Sequence, residues 1–169
     1  MTEPENRPRR LLEVWLPLAV LGLDQATKAV VRTKIPLYGE VAIVPGFLNF
    51  THVRNTGAAY GFLEFTDFPM KALLLTAVAA ALLIAVVFYA ATLTADQRLA
   101  RIGVALVIGG ALGNLVDRLV LGSVVDFVDV YWRTYHFWAF NVADSAITVG
   151  VVVLLLDTLT AGTHVSKTA

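Results

Sequence analysis

Hydrophobic residues are spread unevenly along the chain, and the longest uninterrupted run lies near its middle. Residues 72–95 form 24 consecutive uncharged positions between Lys71 and Asp96, mostly Ala, Leu, Val and Ile. A helix needs about 20 such residues to cross the roughly 30 Å hydrocarbon core of a bilayer. The run therefore predicts a membrane-spanning helix, and it poorly fits the alternative of a buried helix in a soluble bundle.

Three further apolar stretches are long enough to span a membrane but are interrupted by charge. Together with the central run, they predict transmembrane helices at about residues 11–31, 70–92, 100–121 and 140–160. The interrupting residues are Glu13, Asp24, Lys28, Asp117, Arg118, Asp144 and Asp157. The pattern predicts an all-α membrane protein with four transmembrane helices, whose few charges lie at unusual positions.

The segments between the predicted helices differ in character. Residues 32–69 contain two β-like pieces, 40–44 and 47–53, separated by a Pro-Gly turn signal. We therefore expect a small β-structured appendage at the membrane surface between the first two helices. Residues 122–139 are rich in aromatic side chains, of the kind that lie at the level of lipid headgroups.

The distribution of basic residues predicts an orientation. Three of the first ten residues are arginine, and residues 92–101 contain two more, whereas the longer connecting segments carry few for their length. Because basic residues collect on the cytoplasmic side, we expect cytoplasmic tails at 1–10 and 162–169. Residues 11–161 then form a single membrane domain, and both longer connecting segments are extracytoplasmic.

Composition narrows the class of function. Hydrophobic residues make up 57% of the chain and charged residues 15%, with 13 basic and 13 acidic side chains in balance. The mean hydropathy is +0.72, and because the net charge is zero, no overall positive field favours nucleic acid as a partner. It contains no cysteine, and its three histidines are scattered, so we expect neither a thiol nucleophile nor a metal or other cofactor.

The charged intrusions converge on one end of the predicted bundle. With four alternating passes, the end of the first helix, the end of the third and the start of the fourth meet at the same face. Asp24, Lys28, Asp117, Arg118 and Asp144 lie at those ends, and Asp126 follows the third helix by a few residues. Ionisable groups within a bilayer face the protein interior or a water-filled cavity. The pattern favours a polar functional pocket over simple snorkelling at helix ends.

Two carboxylates are the chemistry that such a pocket can best support. A close pair of aspartates holds one proton between them, so that one can activate water while the other polarises a carbonyl. Asp144 is one candidate, although Asn141 and Asp144 also have the spacing of a helix cap. Spacing alone leaves Asp117, Asp126 and Asp129 open as its partner, and we expect Asp129 to be a solvated neighbour.

The motifs, taken in order, resemble those of bacterial lipoprotein signal peptidase, the type II signal peptidase. The resemblance covers nearly all of the chain outside its tails. The matching segments are Asp24-Gln25-x-x-Lys28, Asn49-x-Thr51-x-x-Arg54-Asn55-Thr56-Gly57-Ala58-Ala59, Gly113-Asn114-x-x-Asp117-Arg118, Val125-Asp126-Phe127 and Phe140-Asn141-x-Ala143-Asp144-Ser145. The resemblance implies an aspartic intramembrane endopeptidase of the bacterial inner membrane.

The same resemblance implies roles for individual residues. Asp126 and Asp144 would form the catalytic pair, and the segment 32–69 would be the family's extracytoplasmic β-cradle. The residues expected to contact substrate are Asn55, Asn114, Arg118 and Asn141. Those expected to give structural support are Asp24, Lys28 and Asp117.

The resemblance also implies partners. The substrate would be a diacylglyceryl-modified prolipoprotein, cleaved just before its lipid-bearing cysteine, and a globomycin-type peptide would inhibit. We expect a monomer surrounded by membrane lipids. The alternative is a non-enzymatic transporter or lipid-binding protein with a polar pocket at the outer face. The almost purely apolar cytoplasmic halves of the last three helices argue against a transporter.

Overall fold

The computed structural model describes residues 8–57 and 70–165, which form four long helices and a four-stranded sheet. Ala58 and Ala59 of the motif that begins at Asn49, and the outer parts of both predicted tails, lie outside the described residues. The helices are α1 Pro8–Lys34, α2 Lys71–Thr92, α3 Arg98–Leu121 and α4 Val142–Val165. The strands are β1 Glu40–Val44, β2 Leu48–Asn55, β3 Val124–Trp132 and β4 Tyr135–His136.

Within the described residues, each of the four helices is long and apolar enough to cross a membrane. The most apolar span is Lys71–Thr92, where an 18-residue window has a mean hydropathy of 2.7 and only 6% of that window is buried inside the protein. An apolar helix of which the rest of the protein covers so little is typical of a helix that faces lipid. The predicted fold class, a membrane protein with four transmembrane helices, is confirmed.

Helix α3 is the centre of the bundle and packs against all three other helices. Its glycines allow close approach: a Cβ on Gly109 would lie 2.8 Å from a side-chain atom of Val20 in α1. A Cβ on Gly113 would lie 2.6 Å from a carboxylate oxygen of Asp24. Small residues at this spacing let helices pack closely in membranes. Gly109 and Gly113 therefore allow α1 to approach α3 closely.

The sheet is antiparallel in the order β1-β2-β3-β4 and joins the end of the bundle where α1 and α3 end and α4 begins. The two β-like pieces expected between the first helices are β1 and β2. Strand β3 pairs with β2 along its length, for example Asn49 with Asp129, so the sheet also draws on the segment after α3. A buried cluster that includes Val31 of α1 and Val125 of β3 fastens the sheet to the bundle.

Candidate active site

The structure brings the predicted polar residues together where α1, α3, α4 and the sheet meet. Asp24 and Lys28 come from α1, and Asn114 and Asp117 from α3. The members contributed by the remaining elements are Asn55 of β2, Asp126 of β3, Asn141 directly before α4, and Asp144 in its first turn. Hydrogen bonds and ion pairs link these eight side chains into one network.

Lys28 is the cationic centre of the network and is completely buried. Its Nζ lies 2.8 Å from an Oδ of Asp24 and 3.1 Å from an Oδ of Asp117. It also donates a 3.0 Å hydrogen bond to Oδ1 of Asn114. Asp24 and Lys28 lie one helical turn apart in α1, whereas the contact with Asp117 connects α1 to α3.

The two carboxylates on Lys28 also hold backbone from other elements. Oδ2 of Asp117 accepts a 3.0 Å hydrogen bond from the backbone N–H of Val125, at the start of β3. Oδ1 of Asp24 accepts one of 2.9 Å from the backbone N–H of Ala143, at the start of α4. These bonds set the positions of the two segments that carry Asp126 and Asp144.

Gln25 belongs to the same network, although the sequence analysis gave it no role. Its side-chain amide donates to Asp24 at 3.2 Å, to Asp117 at 3.1 Å and to the carbonyl oxygen of Gly113 at 3.1 Å. Its place beside Asp24 in the first motif is the only signal in the sequence that could have identified it.

Asp126 is buried with both carboxylate oxygens occupied. Oδ2 accepts a 2.9 Å hydrogen bond from Nδ2 of Asn55, and Oδ1 accepts one of 2.6 Å from Nδ2 of Asn141. Burial, followed by the nearby carboxylate of Asp144, raises the pKa of Asp126 to about 7, against the opposing effect of these two amides. Asp126 can therefore hold a proton at neutral pH.

Asp144 is held by two neighbours in a reciprocal helix cap. Nδ2 of Asn114 donates to its Oδ1 at 2.7 Å, and the backbone N–H of Asn141 donates to its Oδ2 at 3.3 Å. In return, the backbone N–H of Asp144 donates to Oδ1 of Asn141 at 2.9 Å. This is capping-box geometry. Asn141 thus contacts both Asp126 and Asp144, so its capping role and its place in the pocket coexist.

Both carboxylates line a cavity of 450 Å³ between α2, α3 and α4. Arg118 reaches the same cavity and donates from Nη1 to the carbonyl oxygen of Asn114 at 3.3 Å. The rest of the wall is mostly aliphatic, and its members include Ala79, Leu82, Leu83, Val86, Val107, Ala111 and Ile147. The cavity therefore combines a polar end with an apolar channel along the helices.

Two of the remaining aspartates need comment. Asp157 lies thirteen residues beyond Asp144 in α4, about 20 Å along the helix, and does not line this cavity. Asp129 was expected to be solvated, and that expectation was wrong: the residue is only 8% exposed. Its carboxylate oxygens lie 3.0 Å from Nδ1 of His136, a contact made by the β3–β4 hairpin.

Among the described residues, no group of three or more His, Asp or Glu side chains is placed to hold a metal ion. The fold and site define a multi-pass membrane protein with two carboxylates, a buried Asp126 and a half-buried Asp144, at the polar end of a mostly apolar cavity among its helices.

Comparison with known proteins identifies the family. A family model for signal peptidase (SPase) II matches residues 16–160. The lipoprotein signal peptidase of Geobacter metallireducens is 47% identical over 81% of this chain and 83% of its own length. That of Pseudomonas putida is 42% identical over 88% of this chain and 86% of its own.

Solved structures of bacterial membrane enzymes share this fold. A bacterial membrane enzyme determined by the in meso method superposes with a TM-score of 0.80 and 32% identity, over 90% of each chain. A second gives a TM-score of 0.78 at 30% identity, over 87% of this chain and 92% of the other. The chain belongs to the signal peptidase II family and is a membrane protease.

Proposed function

We propose that Asp126 and Asp144 are the catalytic pair of an aspartic endopeptidase. The chain would remove signal peptides from prolipoproteins by cleaving before the diacylglyceryl-modified cysteine. The observation that carries this proposal is that both carboxylates line one cavity and contact the same asparagine, Asn141. Membership of the family supports the reaction, and the cavity supports the choice of residues.

The proton on the pair determines the mechanism. With a pKa of about 7, Asp126 is about half-protonated at neutral pH, so one carboxylate of the pair can hold a proton while the other is ionised. The ionised member takes a proton from a water molecule, and that water attacks the scissile carbonyl carbon. The protonated member donates a hydrogen bond to the carbonyl oxygen as negative charge develops there. Collapse of the tetrahedral intermediate breaks the C–N bond, and the amine leaves with a proton from the pair.

The surrounding polar residues position these groups and the substrate. Asn55 and Asn114 each bind one oxygen of a catalytic carboxylate, which keeps both carboxylates in fixed rotamers. Arg118 adds a cation at the same end of the cavity, where it can bind substrate carbonyl groups. We assign substrate contact to these three residues and to Asn141, and structural support to Asp24, Lys28 and Asp117.

The apolar part of the cavity suits the signal helix. The described part of α2 packs against α3 and makes no comparable contact with α4, so the cavity wall is open between α2 and α4. A hydrophobic signal helix can enter from the bilayer through that opening and place its lipid-bearing end at the aspartates. With the arginine-rich flanks inside, the site lies near the extracytoplasmic face of the bacterial inner membrane and both termini are cytoplasmic.

The test is cleavage of a diacylglyceryl-modified prolipoprotein by purified monomeric protein in detergent. We expect Asp126→Asn and Asp144→Asn each to abolish cleavage while leaving the protein folded, because neither amide can take a proton from water. Asp157→Asn, in the same helix as Asp144 but outside the cavity, is the matched control and should cleave normally. A globomycin-type peptide should block the wild type.

Near-normal cleavage by Asp144→Asn would overturn the assignment of the pair. Binding of prolipoprotein or lipid by the wild type with no cleavage at all would instead favour a non-enzymatic lipid-binding protein.

A further inference from the structure

A second cleft, with a volume of 350 Å³, meets the catalytic cavity at Asp126. Asn55, Asp126 and Ala139 line both spaces, so the two open on either side of the same carboxylate. The catalytic cavity runs among the helices, whereas this cleft runs along the sheet. Its remaining lining residues come from β2, β3 and the chain around β4, among them Thr51, Asp129 and His136.

A backbone irregularity places Asp129 in this cleft with Asp126. In a regular strand, side chains three positions apart point to opposite faces. Here the backbone N–H groups of Phe127 and Val128 both donate to the carbonyl oxygen of Phe140, at 3.0 and 2.8 Å, which is the pattern of a β-bulge. Bulges of this kind redirect side chains, and both aspartates line the one cleft.

The cleft is acidic. Asp129 is held against Nδ1 of His136, and the His136 ring stacks on Tyr131 with 4.9 Å between ring centroids and 10° between planes. The side chain of His136 is 53% exposed, so the pair sits at the mouth of the cleft. No lysine or arginine is among the described residues that line it. Two carboxylates, Asp126 and Asp129, thus line the cleft beside one histidine, so its lining favours a cationic group over an anionic one.

We propose that this cleft binds the first residues of the mature lipoprotein, on the far side of the scissile bond, and that Asp129 with His136 selects against an acidic residue directly after the lipid-bearing cysteine. The proposal rests on the proposed function. A substrate whose scissile bond lies at Asp126 must extend away from it in two directions, one on each side of that bond. Its apolar signal helix fits the cavity among the helices, and its polar mature segment fits the cleft along the sheet.

The experiment compares three diacylglyceryl-modified prolipoproteins that carry Lys, Asn or Asp directly after the cysteine. We expect kcat/KM to fall in that order at neutral pH and low salt. The Asp129→Asn enzyme should reduce the Lys-to-Asn ratio and the Asn-to-Asp ratio by up to about fivefold each, the effect of one charge pair about 4 Å apart in water, and so reduce the Lys-to-Asp ratio by up to about 25-fold. Asp96→Asn, which removes an exposed negative charge from the turn between α2 and α3, far from the sheet, should leave the ratio unchanged.

The ratio separates specificity from a structural role. If Asp129 only holds the hairpin, Asp129→Asn will slow all three substrates equally, and an unchanged ratio overturns the proposal. If that variant does not fold, the wild-type ratio is measured against salt, where screening should bring it towards one. A wild-type ratio that salt does not alter also overturns it. Normal cleavage by Asp144→Asn would refute the proposed function instead, whatever the ratio.

Discussion

Replacing Lys28 with methionine tests whether the buried charge network holds the site together. Methionine keeps most of the length and apolar volume of the side chain and removes only its charge. In the wild type, the ammonium group contacts carboxylates of Asp24 and Asp117 that are themselves 0% and 1% exposed. The substitution therefore leaves two buried carboxylates without their cation.

The expected loss follows from that burial. Breaking a buried ion pair by removing one partner typically costs about 3–5 kcal/mol, because a buried charge is left uncompensated. The amide of Gln25 and two backbone N–H groups still donate hydrogen bonds to the carboxylates, so the substitution weakens the network without removing all of its contacts. We expect a loss in this range. Lys34, exposed at the end of the same helix, is the control, and Lys34→Met should change stability by less than about 0.5 kcal/mol.

The assay is unfolding of the purified protein in detergent, followed by the thermal midpoint and by residual cleavage. For a chain of this size, a loss of 3–5 kcal/mol lowers the midpoint by about 6–20 °C. Cleavage by the folded fraction should also fall, because Lys28 binds the side-chain oxygen of Asn114, whose amide holds Asp144.

A loss below about 1 kcal/mol would refute this account of Lys28. A rescue variant separates charge from packing. Adding Asp24→Asn and Asp117→Asn to Lys28→Met removes every charge of the triad, so stability should partly return if uncompensated carboxylates cause the loss. If stability instead falls further when the two asparagines are added, packing and not charge explains the effect.

Two further substitutions test the ionisation of the site and the helix packing. Because burial raises the pKa of Asp126 from about 3.8 to about 7, its contribution to stability is full below pH 4 and is lost as pH rises through 7. Asp126→Asn should thus gain stability relative to the wild type with rising pH, by about 4 kcal/mol at most, and equal pH profiles in detergent unfolding would contradict the assignment. Gly110→Ala should lose about 1–3 kcal/mol, since its Cβ would lie 2.4 Å from the carbonyl oxygen of Ala143. Gly22→Ala, with nothing within 4 Å, should be neutral or stabilising in the same measurement, and equal losses for both would exclude close packing as the cause.

Much of the architecture could be predicted because membrane-spanning helices are recognised from runs of neighbouring residues, without knowledge of tertiary contacts. Runs of apolar residues determine the spans, and alternating passes determine which helix ends meet, so Asp24, Lys28, Asp117 and Asp144 could be placed at one end without knowing the packing. The Pro-Gly turn likewise indicated β1 and β2. These inferences need only the direction of the chain and the thickness of a bilayer.

The parts that could not be predicted depend on contacts between distant segments. Strand β3 pairs with β2 across some 70 residues, and its bulge redirects Asp129 into a cleft, which no spacing rule reveals. Spacing could not choose Asp126 as the partner of Asp144 either; the resemblance of the motifs made that choice. The structure adds that Asn141 contacts both of them.

The limited packing of α2 has a consequence for kinetics. Since α2 packs mainly on α3 among the described helices, the proposed opening beside α4 would face acyl chains whenever no substrate is bound. On the proposed route, each signal helix would have to displace lipid before it reaches the aspartates. Substrate and lipid would then compete, and the effective KM would be a mole fraction within the bilayer. Diluting a fixed amount of enzyme and prolipoprotein with more lipid should therefore slow turnover at constant bulk concentration.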